Sequence, residues 1–416
     1  MTKRQWISLL VFSVLWPQSK TWGAFSNYNS ILIGEKAAGM GGAFTALTDD
    51  PAACSFYNPA GIARMEGATL SASINAYHKY DIEFGEQDTF NEAPFRVNRG
   101  SIVPIPSSSG TVYNFGNFAW ALSIVFPDFD IYTGAIGQSE QSQATVNLRD
   151  ESLWIGGSLG LNASEKDSFG LTVYYTSRTY SRTITDDFQS GSNTTLISEE
   201  KTFSHNNLIY LLGYRRQWTP LFRMGVSYRF ASLPISGEGA YSRSQVSTDG
   251  FRQIIPSQNV SSNTEIPSRL NIGLAYGPPE HWTISLDIHH YGSARYRDLE
   301  DSQAADLIEH VATTNVSLGA EWQLTPIWSW RSGLYTNFSS HPEISENPQV
   351  RTGDRVDMWG FSTNIGIHTS PSSLITLGGY YSGGKGHSTQ LINNQLRRIQ
   401  KTQQIFSFLV GTSFEF

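Results

Sequence analysis

The sequence predicts an all-β protein, a transmembrane antiparallel β-barrel of about fourteen strands whose lumen is closed by its own N-terminal segment. Three observations predict it: a secretory signal with no membrane-spanning helix after it, strict alternation of apolar and polar residues along most of the chain, and a last strand that ends in phenylalanine. Together they place the protein in the outer membrane of a Gram-negative-type cell.

Residues 1–23 are predicted to be a signal peptide. Lys3 and Arg4 form its basic start, residues 6–16 form an apolar run, and residues 21–23 offer small side chains for cleavage. The apolar run is about a dozen residues, whereas a membrane-spanning helix needs roughly twenty, and no later segment is long enough. The chain is therefore expected to be exported and to have no helical anchor.

The composition fits a wall that faces lipid. Charged residues make up 16% of the chain, against roughly 25% in ordinary soluble domains. The mean hydropathy of −0.28 argues against a helical membrane protein and suits strands that are apolar on one side only. Removing Lys3, Arg4 and Lys20 from the 29 basic residues leaves 26 against 36 acidic ones, a net charge of −10 that argues against nucleic acid as a partner. The single cysteine, Cys54, excludes an intramolecular disulfide and is expected to be a small buried residue.

Residues 67–416 are predicted to form the barrel, because they show the two-residue period of strands with different surroundings on their two faces. In the run from Phe222 to Phe230, five large apolar residues alternate with small residues and with Arg223 and Arg229. One face of this strand is therefore expected to contact apolar surroundings, and the other to contact water or to carry charged residues that pair inside the protein. The same pattern recurs in residues 118–126, 282–289 and 358–367.

The connections alternate between short and long, as in barrels of the outer membrane. The short turns are predicted near residues 163–166, 217–220, 277–280, 323–326 and 369–372. The longer polar stretches are predicted to be external loops at residues 79–98, 128–143, 187–196, 245–262, 299–308, 339–353 and 387–394. The strands between these breaks number fourteen, which is even, as closure with both chain ends on the periplasmic side requires.

The last strand ends in phenylalanine. Phe406, Phe408, Phe414 and Phe416 share one face of it. A terminal aromatic residue after alternating apolar residues resembles the signal that barrel-assembly machinery reads, so this machinery is an expected partner.

Residues 24–66 lack the alternation and are rich in small residues. They contain Gly-Met-Gly-Gly-Ala-Phe-Thr-Ala at 39–46, Asp-Asp-Pro at 49–51 and Asn-Pro-Ala-Gly at 58–61. These motifs closely resemble the hatch of the FadL-type long-chain fatty acid transporters of the outer membrane. The resemblance implies a fourteen-stranded barrel set among outer-membrane lipids and lipopolysaccharide, with a hatch over residues 24–66 that plugs the periplasmic end. It also implies passive uptake of long-chain fatty acids or similar hydrophobic ligands, with Asn58, Pro59, Ala60 and Gly61 in the hatch as candidate gating residues.

Three inward-facing arginines, Arg229, Arg331 and Arg178, are candidate contacts for a ligand carboxylate. The more common role of such residues is to form paired lumen charges that hold the wall to the hatch. The sequence predicts no enzyme, no cofactor and no metal site. The Gly-x-Ser-x-Gly pattern at 156–160 lies in an alternating strand, and the neighbouring His289 and His290 point to opposite faces.

Three other functions stay open on the sequence. The first is an uptake channel for aromatic hydrocarbons, which some members of the FadL family perform. The second is a barrel of the same fold with a structural, docking or secretion-associated role, which would copurify with a protein partner. The third is an outer-membrane phospholipase, which would need a serine and a histidine on one exterior strand face.

Overall fold

The computed structural model describes residues 25–84, 95–98, 105–139, 142–190, 192–300, 305–348, 353–392 and 395–416. The predicted signal peptide, residues 1–23, lies outside the described residues. Within the described ranges, no helix has the length and apolar character needed to cross a membrane.

The described chain contains three short helices near its N-terminus and nineteen strand segments. The helices are α1 (Glu35–Gly39), α2 (Pro51–Tyr57) and a 3-10 helix (Pro59–Arg64). The strands are β1 (Ala68–Phe84), β2 (Phe95–Asn98), β3 (Ile105–Asn114), β4 (Phe118–Ser139), β5 (Ser142–Asn162), β6 (Asp167–Ser190), β7 (Asn193–Gln217), β8 (Phe222–Arg229), β9 (Leu233–Ser247), β10 (Arg252–Ser261), β11 (Arg269–Tyr276), β12 (Trp282–Tyr291), β13 (Ala294–Arg297), β14 (Leu307–His310), β15 (Thr313–Gln323), β16 (Trp328–Asn337), β17 (Arg355–Ser370), β18 (Ser373–Ile392) and β19 (Gln395–Glu415).

Seventeen of these segments form one antiparallel sheet that closes on itself. Both β8 and β9 pair with β7, so they are two parts of one wall strand, and β10 and β11 continue each other in the same way. With β2 and β3 also counted as one strand, the described wall has fourteen strands. The first and last strands close the barrel, with Thr69 opposite Glu415. The predicted fourteen-stranded barrel is confirmed.

The two faces of the wall differ as the alternation predicts. On β4, Leu122 is 52% exposed, whereas its neighbour Ala121 is 1% exposed. On β8, Arg223 and Arg229 are buried on the luminal side, while Tyr228 is exposed on the outside. The outward side chains form an apolar surface that suits lipid, and the luminal face mixes polar residues with small and aromatic ones.

Several predicted external loops are wrong, because the strands continue through them. Residues 128–139 belong to β4 and 142–143 to β5. Residues 187–190 belong to β6 and 193–196 to β7, and these two strands are 24 and 25 residues long. Residues 245–262 and 387–394 also carry strand segments of the β9–β10 and β18–β19 pairs. Beyond the lipid belt the outward face of a strand meets water and can be polar, while inward residues such as Val146, Leu148 and Phe203 stay buried. The apolar outward face is therefore lost although the ladder of hydrogen bonds continues.

The strands on the opposite side of the barrel are much shorter. They are β11, β12, β15 and β16, and each has only 8 to 11 residues. The β13–β14 hairpin lies between β12 and β15 at the end with the long connections. It is tied to the tall side by Lys201 of β7, whose Nζ lies 2.6 Å from Asp298 and 2.7 Å from Asp306. The other end has the short turns and the two chain ends of the barrel, which makes it the periplasmic end.

Candidate functional site in the lumen

Residues 25–66, the luminal segment, lie inside the barrel. Its helix α1 contacts β16 to β19, α2 contacts β3 and β4, and the 3-10 helix contacts β5, β6 and β7. Ile33, Phe44 and Ile62 are at most 1% exposed and belong to the main apolar core of the molecule. The segment therefore fills the cross-section of the lumen near the periplasmic end.

The sequence dictates how the luminal segment folds locally. Asp50 caps α2 by accepting the amide of Ala53, and its second oxygen accepts the amide of Lys36 and so joins α1 to α2. Pro51 occupies the first helical position, where no amide donor is needed. Pro59 disfavours helical geometry at the residue before it, and Asn58 is extended, so α2 ends there.

Asn58 is the junction between the luminal segment and the wall. Its Nδ2 donates to the carbonyl of Thr45 at 2.7 Å and to the carbonyl of Tyr214 on β7 at 3.0 Å. Its Oδ1 accepts the amide of Ala60 at 3.2 Å and caps the 3-10 helix that Pro59 begins. The side chain is 1% exposed, so these bonds replace water on both sides of the amide.

Next to Asn58 the luminal segment rests directly on wall glycines. A Cβ atom on Gly213 would lie 2.1 Å from the Oδ1 of Asn58, and one on Gly170 would lie 2.2 Å from the carbonyl carbon of Pro59. Only glycine leaves room for such an approach. Among the described residues, nine wall glycines meet the segment this closely and form the glycine belt: Gly110, Gly160, Gly170, Gly213, Gly225, Gly273, Gly319, Gly333 and Gly411.

The wall holds the luminal segment by hydrogen bonds to its backbone. Asp287 of β12 accepts the amides of Phe44 and Thr45 at 2.9 and 2.7 Å. Most other bonds run from wall donors to segment carbonyls, and the donors include Ser107, Asn114, Asn162, Thr172, Arg215, Ser227, Arg269, Asn271, Ser340, Ser362 and Asn364. Three of the carbonyls belong to the last turn of α2, which has no partners of its own within the helix.

An apolar cavity of about 60 Å³, the upper cavity, lies on the external side of the luminal segment. Aromatic side chains dominate its lining: Phe25, Tyr28, Phe56, Trp154, Tyr291 and Tyr296. Two of them belong to the start of the luminal segment, and the ring of Tyr28 stacks on Tyr291 with the centroids 4.3 Å apart. The cavity is therefore small because the chain's own N-terminal aromatic residues fill part of it.

Two arginines lie at this cavity without a carboxylate partner. Arg229 of β8 and Arg269 of β11 stand directly opposite each other in the sheet and are 4% and 3% exposed. Arg229 bonds the carbonyl of Pro267 and lies over the ring of Trp154, whereas Arg269 bonds the carbonyl of Phe56 and lies over its ring. The Nε of each has no hydrogen-bond partner. Among the described residues, no carboxylate lies within ion-pair distance of either guanidinium, although Asp128 and Glu265 also line the cavity.

The other two predicted contact residues lie in ion pairs of the wall. Arg178 lines the upper cavity, but it makes two hydrogen bonds to Asp150 at 2.6 and 2.8 Å. Arg331 lies away from the upper cavity and bonds Glu321 at 2.7 Å. Both pairs join adjacent wall strands, and no ion pair of the described residues joins the wall to the luminal segment. The predicted role of paired charges in holding the hatch is therefore wrong for these two arginines.

Sequence reasoning missed Arg269. Its signal was available, since Leu270, Ile272 and Leu274 alternate outward on β11 and turn Arg269 to the lumen. Its pairing with Arg229 could not be predicted from the sequence, because β9 and β10 separate the two strands along the chain.

The motifs discounted in the sequence lie where strand geometry puts them. Ser158 of the Gly-x-Ser-x-Gly pattern is buried in β5 and hydrogen-bonds Thr172. His289 faces the lumen and bonds Asn271, while His290 faces outward and bonds Thr314. The described residues contain no cluster of three side chains arranged to hold a metal ion.

Comparison with known proteins agrees with the barrel fold. The profile of the outer membrane protein transport protein family (OMPP1/FadL/TodX) matches residues 29–365. A FadL homologue from Pseudomonas aeruginosa has the same fold, with a TM-score of 0.70 and 14% identity over 94% of this chain and 100% of that chain. No curated protein sequence matches the chain.

Two solved transporters also share the fold. The P. putida toluene transporter TodX has a TM-score of 0.64 and 16% identity over 92% of this chain and 98% of that one. The Ralstonia pickettii toluene transporter TbuX has a TM-score of 0.61 and 14% identity over 94% of this chain and 100% of that one. The chain is thus an outer-membrane β-barrel, and it belongs to the OMPP1/FadL/TodX family of outer membrane transport proteins.

Proposed function

We propose that this protein is a passive channel for amphipathic hydrophobic molecules with an anionic head group, and that long-chain fatty acids are its main ligands. The observation that carries the proposal is the pair of buried arginines, Arg229 and Arg269, at the foot of an aromatic cavity. Like charges directly opposite each other in a sheet are destabilising, and a buried charge needs a partner. A ligand carboxylate between the two guanidiniums supplies that partner through charge-assisted hydrogen bonds.

The aromatic lining suits the other end of such a ligand. Burying one methylene group contributes about 0.8 kcal/mol, so an alkyl chain of a dozen carbons gains on the order of 10 kcal/mol when it leaves water. The upper cavity of about 60 Å³ has to enlarge to hold such a chain, and displacement of Phe25 and Tyr28 provides the room. Binding is then coupled to movement at the start of the luminal segment.

The luminal segment is proposed to act as the gate, with Asn58, Pro59, Ala60 and Gly61 at its moving junction. Support comes from the way the segment is held, since each hydrogen bond to a backbone group contributes only about 0.5–1.5 kcal/mol net and can be exchanged for one with water. Phe56 connects the upper cavity to the junction at Asn58, because its ring lies at the cavity and it precedes Asn58 by two residues. A ligand that displaces Phe56 therefore strains the bonds of Asn58 to Thr45 and Tyr214.

Uptake of aromatic hydrocarbons is a second candidate function. The six aromatic rings of the upper cavity favour it, since flat rings stack or pack edge to face on one another. Two of the solved structures with this fold are toluene transporters by description. A neutral hydrocarbon has no group to offer Arg229 and Arg269, and this difference separates the two candidates.

The test compares uptake of radiolabelled oleate and toluene in cells whose own transporters are deleted. Arg229→Gln with Arg269→Gln is expected to lower oleate uptake about tenfold or more, because two charge-assisted bonds are lost, and to leave toluene uptake unchanged. Arg216→Gln is the matched control, since this arginine lies outside the lumen and bonds Asp167. Equal oleate uptake by the double variant would refute the proposed ligand class. Mass spectrometry of ligand retained by the purified protein identifies the cargo directly.

A further inference from the structure

A second cavity of about 270 Å³, the lower cavity, lies on the periplasmic side of the luminal segment. The segment contributes Phe44, Leu47, Thr48 and Asp49 to its roof, and the periplasmic turns contribute Pro220 and Pro279 to its rim. Three arginines line it: Arg64, Arg215 and Arg223. The luminal segment thus separates an aromatic cavity above from a polar one below.

The sheet register brings two of these arginines together. Arg215 of β7 pairs with Gly225 of β8, which is two residues from Arg223, so the two arginines are diagonal neighbours on the luminal face. They are 4% and 6% exposed. Arg215 donates from Nε to the carbonyl of Ala46, and Arg223 donates from Nη2 to Gly277 and Thr283. The Nη1 of Arg215 and the Nε of Arg223 are buried without a partner.

The carboxylates at the lower cavity are already engaged. Asp49 pairs with Lys36 inside the luminal segment, and Glu321 pairs with Arg331. Arg64 bonds the carbonyls of Ser164 and Glu165 in a periplasmic turn and adds a third positive charge. The described residues therefore leave a cavity with three guanidiniums and no carboxylate bound to any of them.

We propose that the lower cavity is an oxyanion-binding site, and that it receives the carboxylate of the transported ligand on its way to the periplasm. The first part stands on the lower cavity alone, whereas the second rests on the proposed function. Two buried guanidiniums with unused donors at one cavity match an oxyanion such as a carboxylate or a phosphate. The ligand would pass from one arginine pair to the next, leaving its apolar surroundings as it does so.

The test measures binding of butyrate, a carboxylate with a short chain, by calorimetry on the detergent-solubilised protein. The background is Arg229→Gln with Arg269→Gln, which removes the upper pair. Butyrate is expected to bind this background at one site, and adding Arg223→Gln is expected to weaken it about tenfold. Arg223 bonds only wall groups, so adding this change to the background removes no further contact of the luminal segment. In crystals soaked with 4-bromobutyrate, the bromine signal is expected beside Arg215 and Arg223.

The matched control is Arg216→Gln, which removes the same charge from the outer face of β7 and is expected to leave butyrate binding unchanged. Absence of butyrate binding in the background, or equal binding after Arg223→Gln, would overturn the site. Displacement of butyrate by decanoate at lower concentration than by inorganic phosphate supports the exit role, and the reverse order overturns that role. These measurements use no uptake assay, so their failure and the failure of the proposed transport are distinguishable.

Discussion

The upper and lower cavities are built on the same strand but differ in what surrounds their arginines. The luminal face of β8 presents Arg223 to the lower cavity and Arg229 to the upper one, about 20 Å apart along the strand. Between them, Gly225 and Ser227 contact the luminal segment at Thr45 and Tyr57. Aromatic rings surround the upper arginine, and threonine, glutamine and charged side chains surround the lower one.

In the proposed channel, whose net flux follows the ligand gradient, this difference determines where the ligand binds most tightly. An alkyl chain gains free energy by burial in the upper cavity and loses it on moving down, while its carboxylate meets arginines in both places. Under the proposed mechanism, binding is therefore stronger in the upper cavity, and release requires displacement of the luminal segment. The pairs Arg178–Asp150 and Arg331–Glu321 join wall strands only, so the proposed displacement of the segment would break neither of them.

The largest effect is expected from Gly213→Val, which abolishes the separation of the two cavities. A side chain at this position meets the Oδ1 of Asn58 at 2.1 Å and the Cδ of Pro59 at 2.8 Å, so the luminal segment has to leave its seat. Overpacking of this kind costs about 1–3 kcal/mol. Conductance in planar bilayers is expected to rise from a closed level to frequent open events.

The control for this substitution is Gly157→Val on β5. A Cβ atom at Gly157 has nothing within 4 Å, so the change adds the same side chain without touching the luminal segment. Both variants should remain heat-modifiable, as expected of an intact barrel. A closed Gly213→Val channel would show that the segment does not need its glycine belt to seal the lumen.

A smaller effect is expected from Asn58→Ala, which weakens the junction and keeps the luminal segment in its seat. The change leaves the carbonyls of Thr45 and Tyr214 without their donor, at a cost of about 1–3 kcal/mol. Brief openings should appear in single-channel recordings, and the rate of oleate uptake should change. Ser55→Ala is the control, because its hydroxyl bonds only the carbonyl of Pro51 within α2. Unchanged uptake after replacement of Asn58, Pro59 and Ala60 together would exclude the gating role.

The sequence alone was sufficient for the wall because the alternation of Phe222 to Phe230 is a local property of one strand between lipid and lumen. It was insufficient for the tall strands, since β4 continues to Ser139 beyond the lipid belt, where the outward face no longer has to be apolar. Local pattern therefore reports the surroundings of a strand rather than its length.

The candidate site was predictable only in part, for the same reason. Arg229 and Arg178 were identified as luminal from their own strands, but whether each has a carboxylate partner depends on neighbouring strands. Arg178 meets Asp150 across β5 and β6, and Arg229 meets Arg269 across β8 and β11. The lower cavity was missed entirely because Arg215, Arg223 and Arg64 come from three separate elements.

The substitution Tyr28→Ala is designed to enlarge the upper cavity and to leave the lower cavity unchanged. Tyr28 occupies the place where a ligand chain has to lie, and its ring stacks on Tyr291, so its removal abolishes a contact that competes with the ligand. Retention of copurified ligand is expected to rise about threefold, as the free energy lost with one aromatic pair is about 0.5–1.5 kcal/mol. Quantitative mass spectrometry of extracted ligand measures it. Tyr113→Ala on the lipid-facing side is the control, and a fall in retention would show that Tyr28 contacts the ligand instead of competing with it.

The smallest effect is expected from pH, acting on the luminal segment through Glu35. Burial, with the nearby Asp50 carboxylate, raises the pKa of Glu35 from 4.5 to about 7, against the opposing charges of Arg331 and Lys36. The pKa of Glu35 is near 4.5 when the segment is displaced and about 7 when the segment is docked, so the protonated carboxyl favours the docked form. This stabilisation of the docked form is complete below pH 4.5 and is lost as the pH rises through 7. Openings in planar bilayers should therefore become more frequent between pH 5 and about 7 and level off above it. Glu35→Gln should weaken this dependence while the exposed Glu66→Gln keeps it, and a pH response that is unchanged in Glu35→Gln would assign the switch to another group.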